Sequence, residues 1–234
     1  MRQRGEQMPK RAYEKHLAFY KMRDELRKSK CCAFCSLERR ALHQFFDGLL
    51  YEKVTDPGIR SSLVRSGGFC PRHAHILAGF GDALGTAILY EDQVKLRLEA
   101  LEKMKTPVVS RRALHKSDRR GHMVCPACRF EEKKQQAHAQ TLLQGLSDPE
   151  MADAFASSPG LCFLHFTLVM NEEQHSEEKR ILIEVQKEKL KTLLHQLKEF
   201  QGKQDYRRSA EESSEEKDSW QRAIEFVSGV KNVF

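Results

Sequence analysis

Cys32-Ala-Phe-Cys35, answered 35 residues after Cys35 by Gly68-Phe-Cys70-Pro-Arg-His73, decides how this chain is read, because the arrangement occurs twice. The second copy is Cys125-Pro-Ala-Cys128 with Gly160-Leu-Cys162-Phe-Leu-His165. Cys32 and Cys125 are 93 residues apart and His73 and His165 are 92 apart, so the copies run in register with one single-residue gap. Six of the seven cysteines are thereby accounted for. Duplicated sets of three cysteines and one histidine point to two metal sites: Cys32, Cys35, Cys70 and His73, and Cys125, Cys128, Cys162 and His165.

The spacing suits that chemistry. Two sulfurs of a Cys-x-x-Cys across a helix start reach one ion, and Cys-x-x-His puts its donors one turn apart on one helical face. Pro71 and Pro126 fit a first helical turn, where the missing N–H costs nothing. A helix start also turns free N–H groups toward the thiolates and lowers thiol pKa. Three thiolates and one imidazole match tetrahedral zinc, and an iron–sulfur cluster is the alternative. Covalent haem is disfavoured, because Ser36 and Arg129 stand where that motif needs histidine. A thioredoxin-like dithiol would need a βαβ setting that neither motif has.

The flanking sequence is helical. Charged residues make up 31% of the 234, and β-branched residues nowhere alternate as in strands. The fold class expected is all-α, with tandem duplicated helical units forming a bundle, each holding a site at helix N-termini. The chain divides into a basic N-terminal helix at 1–30, a first repeat at 31–105, a basic linker at 106–122, a second repeat at 123–201, an acidic linker at 202–218 and a C-terminal helix at 219–234. Expected apolar stripes are Tyr13, Leu17, Tyr20 and Leu26 in the first helix; Leu37, Ala41, Phe45, Leu49 and Leu50 after the first Cys-x-x-Cys; Leu84, Ile88, Val94, Leu98 and Leu101 in a helix from about 82 to 105; Ile183, Leu190, Leu194 and Leu197 near 172–201; and Trp220, Ile224, Val227 and Val230 at the end. That last helix is expected to fold back, with Trp220 as its anchor. Asp56-Pro57 and Asp148-Pro149 recur at matching positions and read as helix starts, with Asp56 as a cap.

Does each repeat close its own site? A helix from 36 to 54 carries the chain about 28 Å from Cys35, and residues 55–69 barely bring it back. Closure within a repeat is favoured, and exchange of halves between repeats stays open. His43 and His75 read as surface or packed residues, Glu91 as a flank residue turned to solvent, and Cys31 as a small buried residue beside the first site, with a spare ligand or a reactive thiol as the alternatives.

The net charge of +7 permits an anionic partner, with the N-terminal helix and the linker at 106–122 as the segments that would meet nucleic acid. There is no apolar leader and no apolar run of about 18 residues, so a cytoplasmic protein without membrane insertion is expected. In that compartment thiols stay reduced and hold metal rather than disulfides.

On these residues, together with Leu50-Tyr51-Glu52 and Trp220-Gln-Arg-Ala223, the chain resembles an uncharacterised bacterial and archaeal family of helical proteins. That family is catalogued as a domain of unknown function and often labelled as ABC-transporter substrate-binding. The resemblance covers roughly residues 30–234 and departs at Cys32-Ala-Phe-Cys35, where the family has Cys-Pro-x-Cys. It implies two metal-type sites and little about function. No lipobox or α/β periplasmic pattern supports the transporter label. The function expected is that of a non-enzymatic, zinc-binding interaction or regulatory module with a protein partner; a thiol-based or iron–sulfur sensor and a nucleic-acid-binding protein are the alternatives.

Overall fold

A computed structural model describes residues 15–103, 124–203, 215–231 and 233. Among them are ten helices and no strand: α1 (Leu17–Lys28), α2 (Ala33–Glu52), α3 (Pro57–Ser66), α4 (Pro71–Ala78), α5 (Ala83–Glu102), α6 (Pro126–Gly145), α7 (Pro149–Ser157), α8 (Phe163–Met170), α9 (Ser176–Lys203) and α10 (Ser219–Ser228). The expected linker at 106–122 and most of the acidic linker at 202–218 lie outside the described residues.

Helix starts follow the local sequence. Asp56 accepts a hydrogen bond from the Ile59 amide at 2.9 Å, Asp148 from the Glu150 amide at 2.9 Å, and Asp82 from the Gly85 amide at 2.8 Å. Each satisfies an amide that the first turn leaves without a partner. Pro57 and Pro149 then occupy the first turn.

Two compact units form, and neither is a sequence repeat. One is built from Met1–Ser36 and Ala137–Val230, the other from Leu37–Gln136 and Lys231–Phe234, in each case through their described residues. The chain passes from one to the other inside α2 and again inside α6.

In the second unit Leu42, Phe46, Leu49, Leu63, Leu77, Leu89 and Ala127 form a buried core. The Phe46 ring lies 5.3 Å from Phe69, 6.0 Å from Phe80 and 6.2 Å from His73, joining the core to a candidate ligand. Here α2 and α6 pair in antiparallel order: Gln135 donates to the Glu38 carboxylate at 3.2 Å, and the Phe45 and Phe130 rings lie 4.8 Å apart. Helix α5 packs on α3 and α4, and Arg60 grips both Asp92 oxygens at 2.8 Å.

In the first unit α1 packs on α7, burying Phe19, Met22 and Leu26. Lys15 pairs with Asp148 at 3.0 Å and Glu150 at 2.8 Å, and Arg23 with Glu150 at 2.6 Å. The C-terminal helix α10 does fold back, onto α8 and α9.

Several apolar stripes differ from expectation. In α1 the buried face is Phe19, Met22 and Leu26, while Leu17 and Tyr20 are exposed. In α2 it runs through Phe34, Glu38, Leu42, Phe46 and Leu49. In α5 Gly85, Leu89 and Gln93 are buried, and Leu84, Val94, Leu98 and Leu101 face solvent. In α9 Leu182 and Gln186 are buried, and Leu190 and Leu194 are exposed. Trp220, Ile224 and Val227 are also exposed, so Trp220 does not anchor α10. The physical reason is common to them: these helices carry apolar residues on more than one face, and periodicity alone does not say which face the neighbours cover.

Phe46→Ala, at a fully buried ring, is expected to lower stability by about 3–5 kcal/mol in urea denaturation. Phe45→Ala, at the adjacent half-buried ring, should cost clearly less; equal costs would contradict this helix register.

Candidate metal centres

Eight donors stand at four helix N-termini. Cys32 and Cys35 flank the start of α2, and Cys125 and Cys128 the start of α6. Cys70 and Cys162 are the N-cap residues of α4 and α8, and His73 and His165 follow one turn on. The structure gathers these donors into two clusters: Cys32, Cys35, Cys162 and His165, and Cys70, His73, Cys125 and Cys128. Each cluster lies within one compact unit.

All eight expected residues therefore fall in the two clusters, but closure within a repeat is corrected. Each Cys-x-x-Cys meets the Cys-x-x-His of the other repeat. The cause is helix length: α2 spans 20 residues, about 30 Å. In the second unit its later half runs alongside the first turns of α6, as the Phe45–Phe130 contact records. The chain leaving α2 thus reaches Cys125 and Cys128 without walking back to Cys35.

The donors are in contact. His165 Nδ1 lies 3.5 Å from Cys32 Sγ, 3.4 Å from Cys35 Sγ and 3.2 Å from Cys162 Sγ, with Cys35 and Cys162 sulfurs 3.7 Å apart. His73 Nδ1 lies 3.2 Å from Cys70 Sγ, 3.6 Å from Cys125 Sγ and 3.4 Å from Cys128 Sγ, with Cys70 and Cys128 sulfurs 3.7 Å apart. A tetrahedral ion bonded to sulfur at about 2.3 Å and to nitrogen at about 2.0–2.1 Å has S···S edges of about 3.8 Å and S···N edges of about 3.6 Å. Both clusters fit a single ion of that size.

Proton sharing shapes the thiols. Hydrogen bonds with Cys32 and Cys35, aided by His165, hold Cys162 well below the ordinary thiol range, while its partner Cys35 is pushed up. In the other cluster burial pushes Cys125 up, but hydrogen bonds from His73 and from backbone amides outweigh it and bring the thiol to about 6. Burial and the charge of Cys125 push Cys128 up to about 12. Burial lowers the His73 pKa, yet the hydrogen bonds to Cys125 and Glu131 prevail and raise it to about 9. A divalent ion with three thiolates carries a net charge of −1, which the two helix N-termini at each cluster favour.

Residues 14–233 match the family of unknown function DUF6062. The chain belongs to that family. A relative from Caldicellulosiruptor sp. (strain Rt8B.4), named as an uncharacterized 23.9 kDa protein in the xynA 3′ region, is 30% identical over 207 residues, covering 86% of this chain and 96% of that protein. No solved structure matches.

Behind the ligands this DUF6062 chain has supports that the motif spacing did not reveal. His73 Nε2 lies 3.0 Å from Oε2 of the buried Glu131 carboxylate, the same oxygen to which Arg72 donates while also donating to the Val233 carbonyl. With Nδ1 facing the thiols, Nε2–H donates to Glu131, an arrangement that fixes the tautomer and orients a metal-bound imidazole. Gln186 clamps the residue before Cys162, accepting from the Leu161 amide at 3.1 Å and donating to its carbonyl at 3.0 Å. Gly160, at φ 87°, passes so close that a Cβ there would sit 2.7 Å from Gln186 Oε1. The duplication held a signal for these residues: Cys35-Ser-Leu-Glu38 repeats as Cys128-Arg-Phe-Glu131, Gln93 repeats as Gln186, and all four polar side chains are buried.

His43 and His75 are exposed, and Glu91 is exposed and pairs with Lys95 at 2.7 Å. Cys31 is half-buried and belongs to neither cluster.

Cys70→Ser and Cys128→Ser should remove the same ion, so the double variant retains one equivalent of metal by elemental analysis. Cys35→Ser combined with Cys70→Ser should lose both. The opposite pattern would restore closure within each repeat.

Proposed function

We propose that this DUF6062 protein is a zinc-binding helical scaffold that presents its helices to a protein partner as an interaction or regulatory module. The observation that carries the reading is the donor spacing: S···S contacts of 3.7 Å and S···N contacts of 3.2–3.6 Å suit one tetrahedral ion. An iron–sulfur cluster distributes its protein donors over several irons and spreads them further apart than one ion does. Four protein donors leave no coordination position for water or substrate, which speaks against Lewis-acid catalysis. A structural zinc would stabilise the fold by on the order of 10 kcal/mol.

A reducing compartment such as the cytoplasm suits these thiols. Among the described residues no helix is long and apolar enough to cross a membrane. The nucleic-acid reading loses two cations of the N-terminal segment, because Lys15 and Arg23 pair with Asp148 and Glu150, while Lys21, Arg27 and Lys28 stay exposed.

One observation favours a thiol-redox reading as the second. Cys31 lines a cavity of about 350 Å³ together with the ligands Cys32 and Cys162. Reduction of hydrogen peroxide by the Cys31 thiol and one ligand thiol would leave a disulfide and two waters, and free the ion.

Natively purified protein should hold two zinc equivalents and lack visible absorbance; a coloured protein with bound iron would overturn the zinc reading. Zinc binding at pH 7 should release protons, since His73, with a pKa of about 9, and Cys128, at about 12, are both protonated there. Acidification should therefore weaken binding and abolish the thermal stabilisation that zinc gives. Cys31→Ser should keep both equivalents. If the redox reading holds, that variant alone should also resist peroxide-driven zinc release.

A further inference from the structure

Helix α5 has two apolar faces. Gly85, Leu89 and Gln93 are buried against its own unit. On the opposite side, at 100° per residue, lie Leu84, Ala87, Val94, Leu98 and Leu101, with Leu84 74%, Val94 64%, Leu98 55% and Leu101 62% exposed. Positions 84, 87, 91, 94, 98 and 101 alternate by three and four, the seam of a two-helix coiled coil, and Glu91 is its single charged member. A surface helix normally keeps that side polar, and a continuous exposed apolar stripe marks a contact.

We infer that this face of α5 is the interface of a homodimer in which α5 packs antiparallel against α5 of a second copy. The stripe is self-complementary in that direction. With a two-fold axis between residues 92 and 93, Leu84 meets Leu101 of the second copy and Ala87 meets its Leu98. Glu91 falls in the layer of its Val94, beside its Lys95. Parallel pairing would instead set Glu91 against Glu91, two like charges in an apolar seam. Glu91 already pairs with Lys95 of its own helix at 2.7 Å, and the antiparallel arrangement sets two such ion pairs side by side with opposite charges adjacent, the same contact occurring twice, as a closed two-fold interface requires. Basic residues dominate 106–122 and lack apolar periodicity, so that stretch does not complement such a seam.

The test is the solution mass of the zinc-loaded full chain by light scattering or sedimentation. At concentrations on the order of 100 μM it should be twice the 27.1 kDa chain mass. Leu98→Glu should weaken association by more than about 100-fold, since it buries two unpaired carboxylates, with helical circular dichroism and zinc content unchanged. Glu91→Lys, at an exposed position that folding does not need, should weaken it by about 10-fold, and adding Lys95→Glu should restore it. A monomer throughout, or a dimer indifferent to both single substitutions, overturns the proposal. A dimer broken by Leu98→Glu and unaffected by Glu91→Lys overturns the antiparallel register.

Discussion

Gathering four donors around one point is the constraint on which this structure depends. A thiolate or imidazole contributes to an ion only within about 2.0–2.3 Å, so two helix starts must arrive together with near-ångström accuracy. The protein meets that demand with helix ends rather than loops. Each cluster joins a Cys-x-x-Cys flanking a long helix to a Cys-x-x-His opening a short one, and the carbonyls of Cys32, Cys70, Cys125 and Cys162 are already committed to helical hydrogen bonds while first-turn amides stay free for the thiols. Rigid ends also aim two positive dipole termini at a net negative site.

The supports behind the ligands show how the long helices α5 and α9 contribute. Gln186 reaches from α9 to hold the backbone of Leu161 just before Cys162, and Lys189, one turn along, donates to the carbonyls of Ala156 and Ser158. In the second unit Arg97 of α5 similarly donates to the carbonyl of Gly67 at 2.8 Å. Loops that deliver ligands are thus pinned by side chains from a neighbouring helix. Phe46 does the same through packing, touching both the core and the His73 ring.

Much of the site was legible in the sequence because its information is local. Cysteine spacing, proline in first turns and aspartate caps act within a few residues, the 93-residue register repeats them, and all eight clustered donors followed from these signals. Which donors share a cluster was not legible. That depends on the course of α2 and on which helix lies beside its far end, a tertiary fact to which no spacing rule refers. Buried faces were misjudged for a related reason: α5 offers Leu84, Val94 and Leu98 on one side and Leu89 on the other, and both satisfy helical periodicity. Glu131 and Gln186 escaped because a carboxylate or amide on a charged helix looks like solvent-facing surface until its partner is known.

The crossed pairing of the clusters bears on where such a chain comes from. Each repeat carries a full complement of donors, yet its two halves lie in different clusters. A single repeat in this geometry would leave both halves short of ligands, and two separate copies would complete two sites by exchanging them. The tandem chain has the connectivity that joining such a complementary pair head to tail would give. Joining of that kind would let the two halves diverge within one chain, and Arg72 of one half stands where the other has Leu164.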